Sequence, residues 1–128
     1  MVPGNLRYMA SHEWSKVEGD ICTVGITSFA VEQLTDVVFV ELPKVGRKVA
    51  VGQAFGQIES VKAVSDLYAP VSGEVVEVND SVVKDPGQVS ADPFGKGWML
   101  KIKLASPSDL DKLLTAEQYE KQIASQGH

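Results

Sequence analysis

Short apolar and β-branched runs recur along most of this chain, and each run ends at glycine, proline or an Asn-Asp turn signal. Such runs, with turn signals roughly every 8–12 residues, predict a mainly β barrel or sandwich. Pro43 and Pro70 close two of the runs, because proline cannot donate a ladder hydrogen bond. One segment, 29–34, favours a short internal helix instead. The predicted strands are 21–26, 37–42, 49–51, 54–60, 67–69, 73–78 and 99–104.

The last part of the chain has helical signals. Ser106 is a predicted N-cap, Pro107 fits the first helical position, and Asp109 is placed to accept hydrogen bonds from the first amides. The capping-box pattern Thr115-x-x-Gln118 opens a second helix. Apolar residues at helical spacing follow both signals. We therefore expect C-terminal helices over about 107–124 that pack on the barrel, with a partner-docking helix as the alternative.

Composition and charge limit the classes of function. The 128 residues include 12 basic and 17 acidic side chains, a formal net charge of −5. An acidic domain without a basic cluster is a poor nucleic-acid binder, because phosphate contacts dominate that affinity. No apolar run approaches the ~18 residues that span a membrane. The single cysteine, Cys22, excludes an internal disulfide framework and favours a reducing compartment. We expect one monomeric, cytoplasmic domain over residues 1–128, with its core at about 8–104 and Cys22 buried within it.

The inventory of reactive side chains is small. Only His12 and His128 could act as histidine bases or ligands, and with one cysteine they cannot form a Cys/His zinc site. Phosphate-binding and nucleophile-elbow glycine motifs are absent from the sequence. Ser11-His12-Glu13 contains the residue types of a catalytic triad, but adjacent side chains point in different directions and triads combine distant residues. We expect no metal site and no independent enzyme, so any chemistry would be carried by an added group.

The segment most informative about function is 59–75, which reads E-S-V-K-A-V-S-D-L-Y-A-P-V-S-G-E-V. Glu59, three residues before Lys62, and Gly73, eleven residues after it, have the spacing of lipoyl domains. Ser65-Asp66 is the more specific continuation found in glycine cleavage H proteins. Further blocks match that family in order, namely S-H-E-W at 11–14, V-G-I-T at 24–27, V-F-V-E-L-P at 38–43 and D-P…G-W at 92–98. The chain thus resembles the glycine cleavage H-protein family over about residues 8–119.

The resemblance implies a lipoyl-type barrel-sandwich hybrid with a short internal helix and a C-terminal helical extension. It also implies that Lys62 lies at an exposed hairpin tip and carries lipoate in amide linkage, as N6-lipoyllysine. No Asn-Gly or Gly-Gly turn marks that tip in the sequence. Glu59 and Gly73 would be determinants for the lipoylating enzymes, although Gly73 could equally be a turn glycine.

The resemblance further implies a non-catalytic carrier role. Family H proteins take an aminomethyl group from a pyridoxal-phosphate glycine decarboxylase to a tetrahydrofolate-dependent aminomethyltransferase, and then pass the dithiol to an FAD-containing dihydrolipoamide dehydrogenase. They fold the loaded arm into a surface cleft, whose residues are here equivalent to Ser11, Glu13 and Asp66. Carboxylates favour a cationic amine, which gives Glu13 and Asp66 a physical role there. Solubility or capping is the alternative role for both.

Two departures from the family pattern leave a second function open. Many members have histidine where this chain has Gln33 and glycine where it has Thr35, so the details of the cleft differ. An H-like paralogue that relays lipoyl groups to other enzyme complexes is therefore the alternative. Lipoyl domains of 2-oxoacid dehydrogenases lack the S-H-E-W block and the helical tail. Biotin carriers place their lysine between methionines, whereas Val61 and Ala63 flank Lys62.

Overall fold

The structure is a computed structural model that describes residues 2–126, where nine strands form two antiparallel sheets. The strands are β1 (Arg7–Tyr8), β2 (Glu13–Glu18), β3 (Ile21–Ile26), β4 (Val37–Glu41), β5 (Lys48–Val49), β6 (Ala54–Ser60), β7 (Val64–Tyr68), β8 (Gly73–Val78) and β9 (Leu100–Leu104). The large sheet has the order β1-β2-β3-β9-β8-β5, and the small sheet has the order β4-β6-β7. His128 lies outside the described residues.

The main core lies between the two sheets. Val24 and Leu100 of the large sheet, together with Val40, Ile58 and Leu67 of the small sheet, are at most 2% exposed and belong to one apolar cluster. Two antiparallel sheets that bury facing sets of alternating side chains are the mainly β architecture predicted from the sequence. The buried Cys22 thiol also belongs to this cluster, so the expectation of a packing role is confirmed.

Three strands, β3, β6 and β8, have the predicted bounds, and the other strands differ in instructive ways. Of the run predicted at 49–51, only Val49 lies in a strand, as the last residue of β5. The run ends early because the chain turns at Gly52, whose φ is +80°. The run predicted at 67–69 is instead β7, which begins three residues earlier. The first three residues of β7 are exposed and two of them, Ser65 and Asp66, are polar, so the apolar run becomes recognisable only at Leu67. The sequence analysis also did not predict β1 and β2.

The internal helix is confirmed as α1 (Ser28–Leu34), with the Thr27 Oγ1 accepting a hydrogen bond from the Ala30 N–H at 3.3 Å. Two further helices, α2 (Asp80–Lys84) and α3 (Gly87–Ala91), were not predicted. Asn79 was interpreted as a turn signal, but its side chain caps α2 by accepting from the Ser81 N–H at 3.1 Å. Five-residue helices are too short to show a helical period.

The C-terminal extension begins differently from the prediction. Residues Pro107–Lys112 form a 3₁₀ helix, and Ser106 makes no capping hydrogen bond to it. Asp109 is buried, and its carboxylate accepts from the Ser72 N–H at 2.9 Å, so it stabilises the loop before β8 and not a helix start. The predicted capping box is confirmed, because the Thr115 N–H donates to Gln118 at 2.9 Å and the Gln118 N–H donates to Thr115 at 3.2 Å.

The helix that this box opens, α4 (Ala116–Gln126), packs on the body of the protein as expected. Tyr119 is fully buried and its ring stacks on that of Tyr8, with centroids 4.8 Å apart. Just before the helix, Leu114 exchanges two backbone hydrogen bonds of 2.7 and 2.8 Å with Tyr8. None of the helices within residues 2–126 has the length and apolar character needed to cross a bilayer.

We expect Gly73→Ala to destabilise the fold, because Gly73 lies against the backbone of a neighbouring strand. A Cβ atom at Gly73 would lie 1.9 Å from the Lys103 carbonyl oxygen, so β8 and β9 would have to separate. The expected loss is about 1–3 kcal/mol in the free energy of unfolding, measured by urea denaturation. Gly4→Ala is the control, since its Cβ would meet nothing within 4 Å. Equal midpoints for the two variants would contradict this interpretation of Gly73.

Candidate functional site

Lys62 lies in the three-residue turn between β6 and β7, and its side chain is exposed. Ser60 closes this turn. Its N–H donates to the Ala63 carbonyl oxygen at 2.8 Å, and its Oγ accepts from the N–H groups of Ala63 and Lys62 at 3.1 and 3.3 Å. A serine hydroxyl therefore supplies the turn geometry, which explains the absence of a glycine turn signal. No ion pair engages Lys62 among residues 2–126.

The turn is fixed from one side by the segment that precedes β4. The Val61 N–H donates to the Asp36 carbonyl oxygen at 3.2 Å, and Val37 pairs with Ser60 in the sheet. Both contacts join the tip of the hairpin to the chain just after α1. Lys62 thus projects from a turn whose backbone is held by Ser60 within the hairpin and by residues 36–37 outside it.

A cavity of about 120 Å³ lies beside the inner face of this hairpin. Its apolar wall comes from β3, α1, β6 and β7, and its polar wall comes mainly from the segment before and at the start of β2. The lining residues are Ser11, His12, Glu13, Ile26, Ala30, Gln33, Leu34, Ile58, Ser65, Asp66 and Leu67. The three predicted cleft residues, Ser11, Glu13 and Asp66, therefore border one cavity.

Glu13 is the most deeply buried polar group of this cavity, at 1% exposure. The Ser11 hydroxyl donates to its Oε1 at 2.5 Å, and the Tyr68 N–H donates to its Oε2 at 2.8 Å. Burial raises the pKa of Glu13 to about 7, although the hydrogen bonds from Ser11 and Tyr68 favour the ionised form. The cavity thus holds a carboxyl group that changes charge near neutral pH.

Asp66 borders the same cavity as Glu13 but makes different contacts. Asp66 pairs with Gln57 across the hairpin, and the Gln57 Nε2 donates to its Oδ1 at 3.2 Å. Paired residues of neighbouring strands lie on the same face of a sheet, so Ser65 lies on the face of its partner Ile58, which is buried. Side chains alternate along a strand, so Asp66 lies on the opposite face. Ser65 is a cavity residue that the sequence analysis missed, and the alternation of β7 is the signal that would have found it.

His12, the residue before Glu13, takes part in a hydrogen-bonded network and not in a triad. Its Nδ1 is hydrogen-bonded to the Tyr119 hydroxyl at 2.7 Å, and that hydroxyl is also hydrogen-bonded to the Thr27 Oγ1 at 2.7 Å. Burial lowers the pKa of His12. Its φ of +83° is in the left-handed region, which is costly for a residue with a Cβ atom. The residues on either side, Ser11 and Glu13, bond to each other.

The two residues predicted to mediate recognition lie apart in the fold. Glu59 is in the small sheet, where it is paired with Phe39 on one side and with Val64 on the other. Gly73 opens β8 in the large sheet. The close contact of Gly73 with the backbone of β9 is enough to require a glycine at this position, without any role in recognition by an enzyme.

The family model of the glycine cleavage H-protein matches residues 6–126. The chain belongs to the glycine cleavage H-protein family. Relatives named glycine cleavage system H protein include one from Carboxydothermus hydrogenoformans, 53% identical over 99% of this chain and 98% of its own, and one from Symbiobacterium thermophilum, 55% identical over 93% of both. A crystal structure of a glycine cleavage system H protein from Mycobacterium marinum superposes with a TM-score of 0.88 at 44% identity, over 99% of this chain and 100% of that chain.

The two residues that the sequence analysis named as departures from the family pattern, Gln33 and Thr35, lie in α1 and at its C-terminal cap. Gln33 lines the cavity from α1. Thr35 caps that helix with a φ of +65°, and its N–H donates to the Val31 carbonyl oxygen. A positive φ favours glycine and costs on the order of 1–3 kcal/mol for a residue with a side chain. Thr35 therefore ends α1 at a cost in stability.

We expect the pH dependence of stability to change in Glu13→Gln. The pKa of Glu13 is raised from 4.5 to about 7 in the folded state, so the stability contributed by its protonated form is full below about pH 4.5 and is lost as the pH rises through about 7. As the pH rises across that range, the free energy of unfolding of the wild type should fall by on the order of 3 kcal/mol relative to that of Glu13→Gln. Urea denaturation at several pH values measures this difference.

Ser11→Ala provides the second measurement. Loss of the hydroxyl donor removes one bond to the ionised carboxylate, so the pKa of Glu13 should rise further and the pH range should move upward. A stability difference between wild type and Glu13→Gln that does not vary with pH would contradict the raised pKa.

Proposed function

We propose that this protein is the lipoyl carrier of a glycine cleavage system, with lipoate joined in amide linkage to Lys62. The observation that carries the proposal is the exposed Lys62 side chain on a turn held by Ser60 and Asp36, in a chain of this family. The arm would take an aminomethyl group from a pyridoxal-phosphate glycine decarboxylase to a tetrahydrofolate-dependent aminomethyltransferase, and then present the dithiol to an FAD-containing dihydrolipoamide dehydrogenase. The protein itself would be a non-catalytic carrier.

The residues around the turn and cavity suit such an arm. An exposed lysine without an ion-pair partner among residues 2–126 is an accessible site for acylation. The cavity combines an apolar wall, to which Ile26, Leu34 and Ile58 contribute, with the carboxyl group of Glu13. An apolar chain that ends in a cationic amine is complementary to this cavity, because the chain matches the apolar wall and the amine is attracted to the carboxylate.

The chain's own residues would attach, orient and shield the group. When bound, lipoate supplies a cyclic disulfide that accepts a carbon unit and two electrons. Acylation of Lys62 removes its positive charge and takes the formal net charge from −5 to −6. A cationic amine brought into the cavity would favour the ionised form of Glu13 and so lower its pKa from about 7. Ser11 and the Tyr68 N–H already orient that carboxylate.

Further parts of the proposal concern recognition and location. Glu59, on the strand that leads into the turn, would contact the lipoylating enzymes, whereas the role of Gly73 would be to let β8 and β9 approach. Asp66 borders the cavity, but its carboxylate is hydrogen-bonded to Gln57 on the outer face of the hairpin. Asp66 would therefore contribute to the mouth of the cavity and not to its interior. A cytoplasmic location and a monomeric state stay predictions.

We expect only one lysine of this protein to accept a lipoyl group. The experiment is intact-mass spectrometry after expression with lipoate and a lipoate ligase. The wild type and the control Lys48→Arg, which removes another exposed lysine, should each gain one lipoyl group, and Lys62→Arg should gain none. A gain that persists in Lys62→Arg would remove Lys62 from the proposal.

A reconstitution distinguishes glycine cleavage from the relay of lipoyl groups, which the departures at Gln33 and Thr35 keep as the second candidate. The lipoylated protein is combined with the three partner enzymes, and exchange between bicarbonate and the glycine carboxyl group is followed. The proposal expects exchange that depends on lipoylation. A lipoylated protein that supports no exchange would favour the relay function.

A further inference from the structure

Four exposed apolar side chains surround the turn that holds Lys62. Their exposed fractions are 51% for Val38, 47% for Phe39, 68% for Val61 and 57% for Val64. Phe39 and Val64 lie in one row across the small sheet with Glu59 between them, and Val61 is next to Lys62 in the turn. We call these four residues the tip patch. Exposed apolar side chains that cluster around one turn are typical of interaction sites.

A bulge in β4 creates the widest part of the tip patch. Val37 pairs with Ser60 and Phe39 pairs with Glu59, so Val38 is an extra residue without a partner in the ladder. In a regular strand, one of two successive residues would face the core. The bulge instead leaves both Val38 and Phe39 exposed, next to the strand that leads into the Lys62 turn. Bulges that redirect side chains in this way are common beside functional sites.

The charges next to the tip patch are mostly negative, although Arg47 lies beside Glu41 and Asp66, one row further from the turn. The segments 28–41 and 54–68 carry the carboxylates of Glu32, Asp36, Glu41, Glu59 and Asp66, and Lys62 is their only basic residue. Of these, Glu41, Glu59 and Asp66 belong to β4, β6 and β7 at alternate register positions, which places them on the same outer face. A partner that covers this face therefore needs an apolar surface bordered by lysine or arginine side chains.

We propose that the tip patch is the docking surface for the enzyme that acylates Lys62, and that this enzyme presents an apolar depression with a basic rim. The proposal rests on the function proposed above. Enzymes that act at the far end of a long arm need not touch the turn, but an acylating enzyme must bring its acyl carbon to bonding distance of the Lys62 Nζ. The amide forms between Nζ and the acyl carbon of an activated lipoyl donor, the bond from that carbon to its leaving group breaks, and an Nζ proton goes to a base. The residues within reach of such an enzyme include the tip patch.

Matched valine-to-threonine variants test this inference, because threonine keeps the branched shape and replaces a methyl group with a hydroxyl. The matched test variant is Val38→Thr/Val64→Thr, and Phe39→Thr, which removes the exposed aromatic ring, is a second test variant. The control is Val17→Thr/Val76→Thr, which changes two exposed valines on strands of the large sheet. Initial rates of lipoylation by a purified lipoate ligase, with lipoate and ATP, are followed by intact mass. Urea denaturation checks that each variant is folded.

We expect kcat/KM for lipoylation to fall about tenfold or more in both test variants, mainly through KM, and to change less than about twofold in the control. The wild-type kcat/KM should also fall as salt is raised, because the basic rim is attracted to exposed carboxylates. Variants that are lipoylated to completion should support bicarbonate–glycine exchange like the wild type, since the cleavage enzymes act through the arm.

Each outcome bears on a different claim. If the wild type is not acylated at Lys62, the proposed function fails. If the wild type is acylated and the test variants match the control, the docking inference fails. Normal lipoylation with reduced bicarbonate–glycine exchange would also overturn it, since the tip patch would then belong to a cleavage enzyme. A rate that is insensitive to salt would contradict the basic rim.

Discussion

The carboxyl group of Glu13 joins the two sheets at the cavity, and the arrangement of the site depends on it. Glu13 lies in β2 of the large sheet, and its Oε2 accepts from the N–H of Tyr68, 55 residues away in the hairpin that carries Lys62. Burying a carboxyl group is costly even when it is hydrogen-bonded, and the raised pKa of Glu13 is a measure of that cost. An apolar residue there would relieve the cost but would remove the buried carboxyl group that can attract a cation into the cavity.

The hairpin serves both faces of the site because side chains alternate along its strands. Ile58, Ser65 and Leu67 face the cavity, whereas Glu59 and Val64 face solvent on the outer side. The turn with Lys62 joins these strands at their end, so an arm attached there starts between the two faces. One face is suited to shelter the arm, and the other presents the apolar groups and carboxylates that an approaching enzyme would meet. With the function and the docking surface proposed above, a single short hairpin would separate storage of the arm from recognition by the enzyme.

The elements that could be predicted from the sequence are those in which the pattern of apolar side chains matches the pattern of burial. β3, β6 and β8 are apolar or β-branched runs bounded by turn residues, and their bounds were correct. β2 was missed because it is rich in polar residues and its buried Glu13 contradicts simple hydropathy. Lys62 was found only through its motif, since the turn is formed by a serine hydroxyl. The cavity walls combine segments distant in sequence, and no local pattern predicts which of them meet.

The helical tail supports this cavity from outside, since the lining residues all lie between Ser11 and Leu67. The Tyr119 hydroxyl of α4 is bonded to Thr27 at the start of α1 and to His12, and the ring of Tyr119 is packed between the N-terminal segment and the body of the protein. These contacts hold His12 in a backbone conformation that is costly by itself, and the next residue is Glu13. Because the direction of a side chain follows the backbone before it, the position of the buried carboxyl depends on a helix that begins 103 residues later in the chain. A lipoyl-type barrel without such a tail would need another way to keep Glu13 in place, so the extension and the cavity are one structural unit.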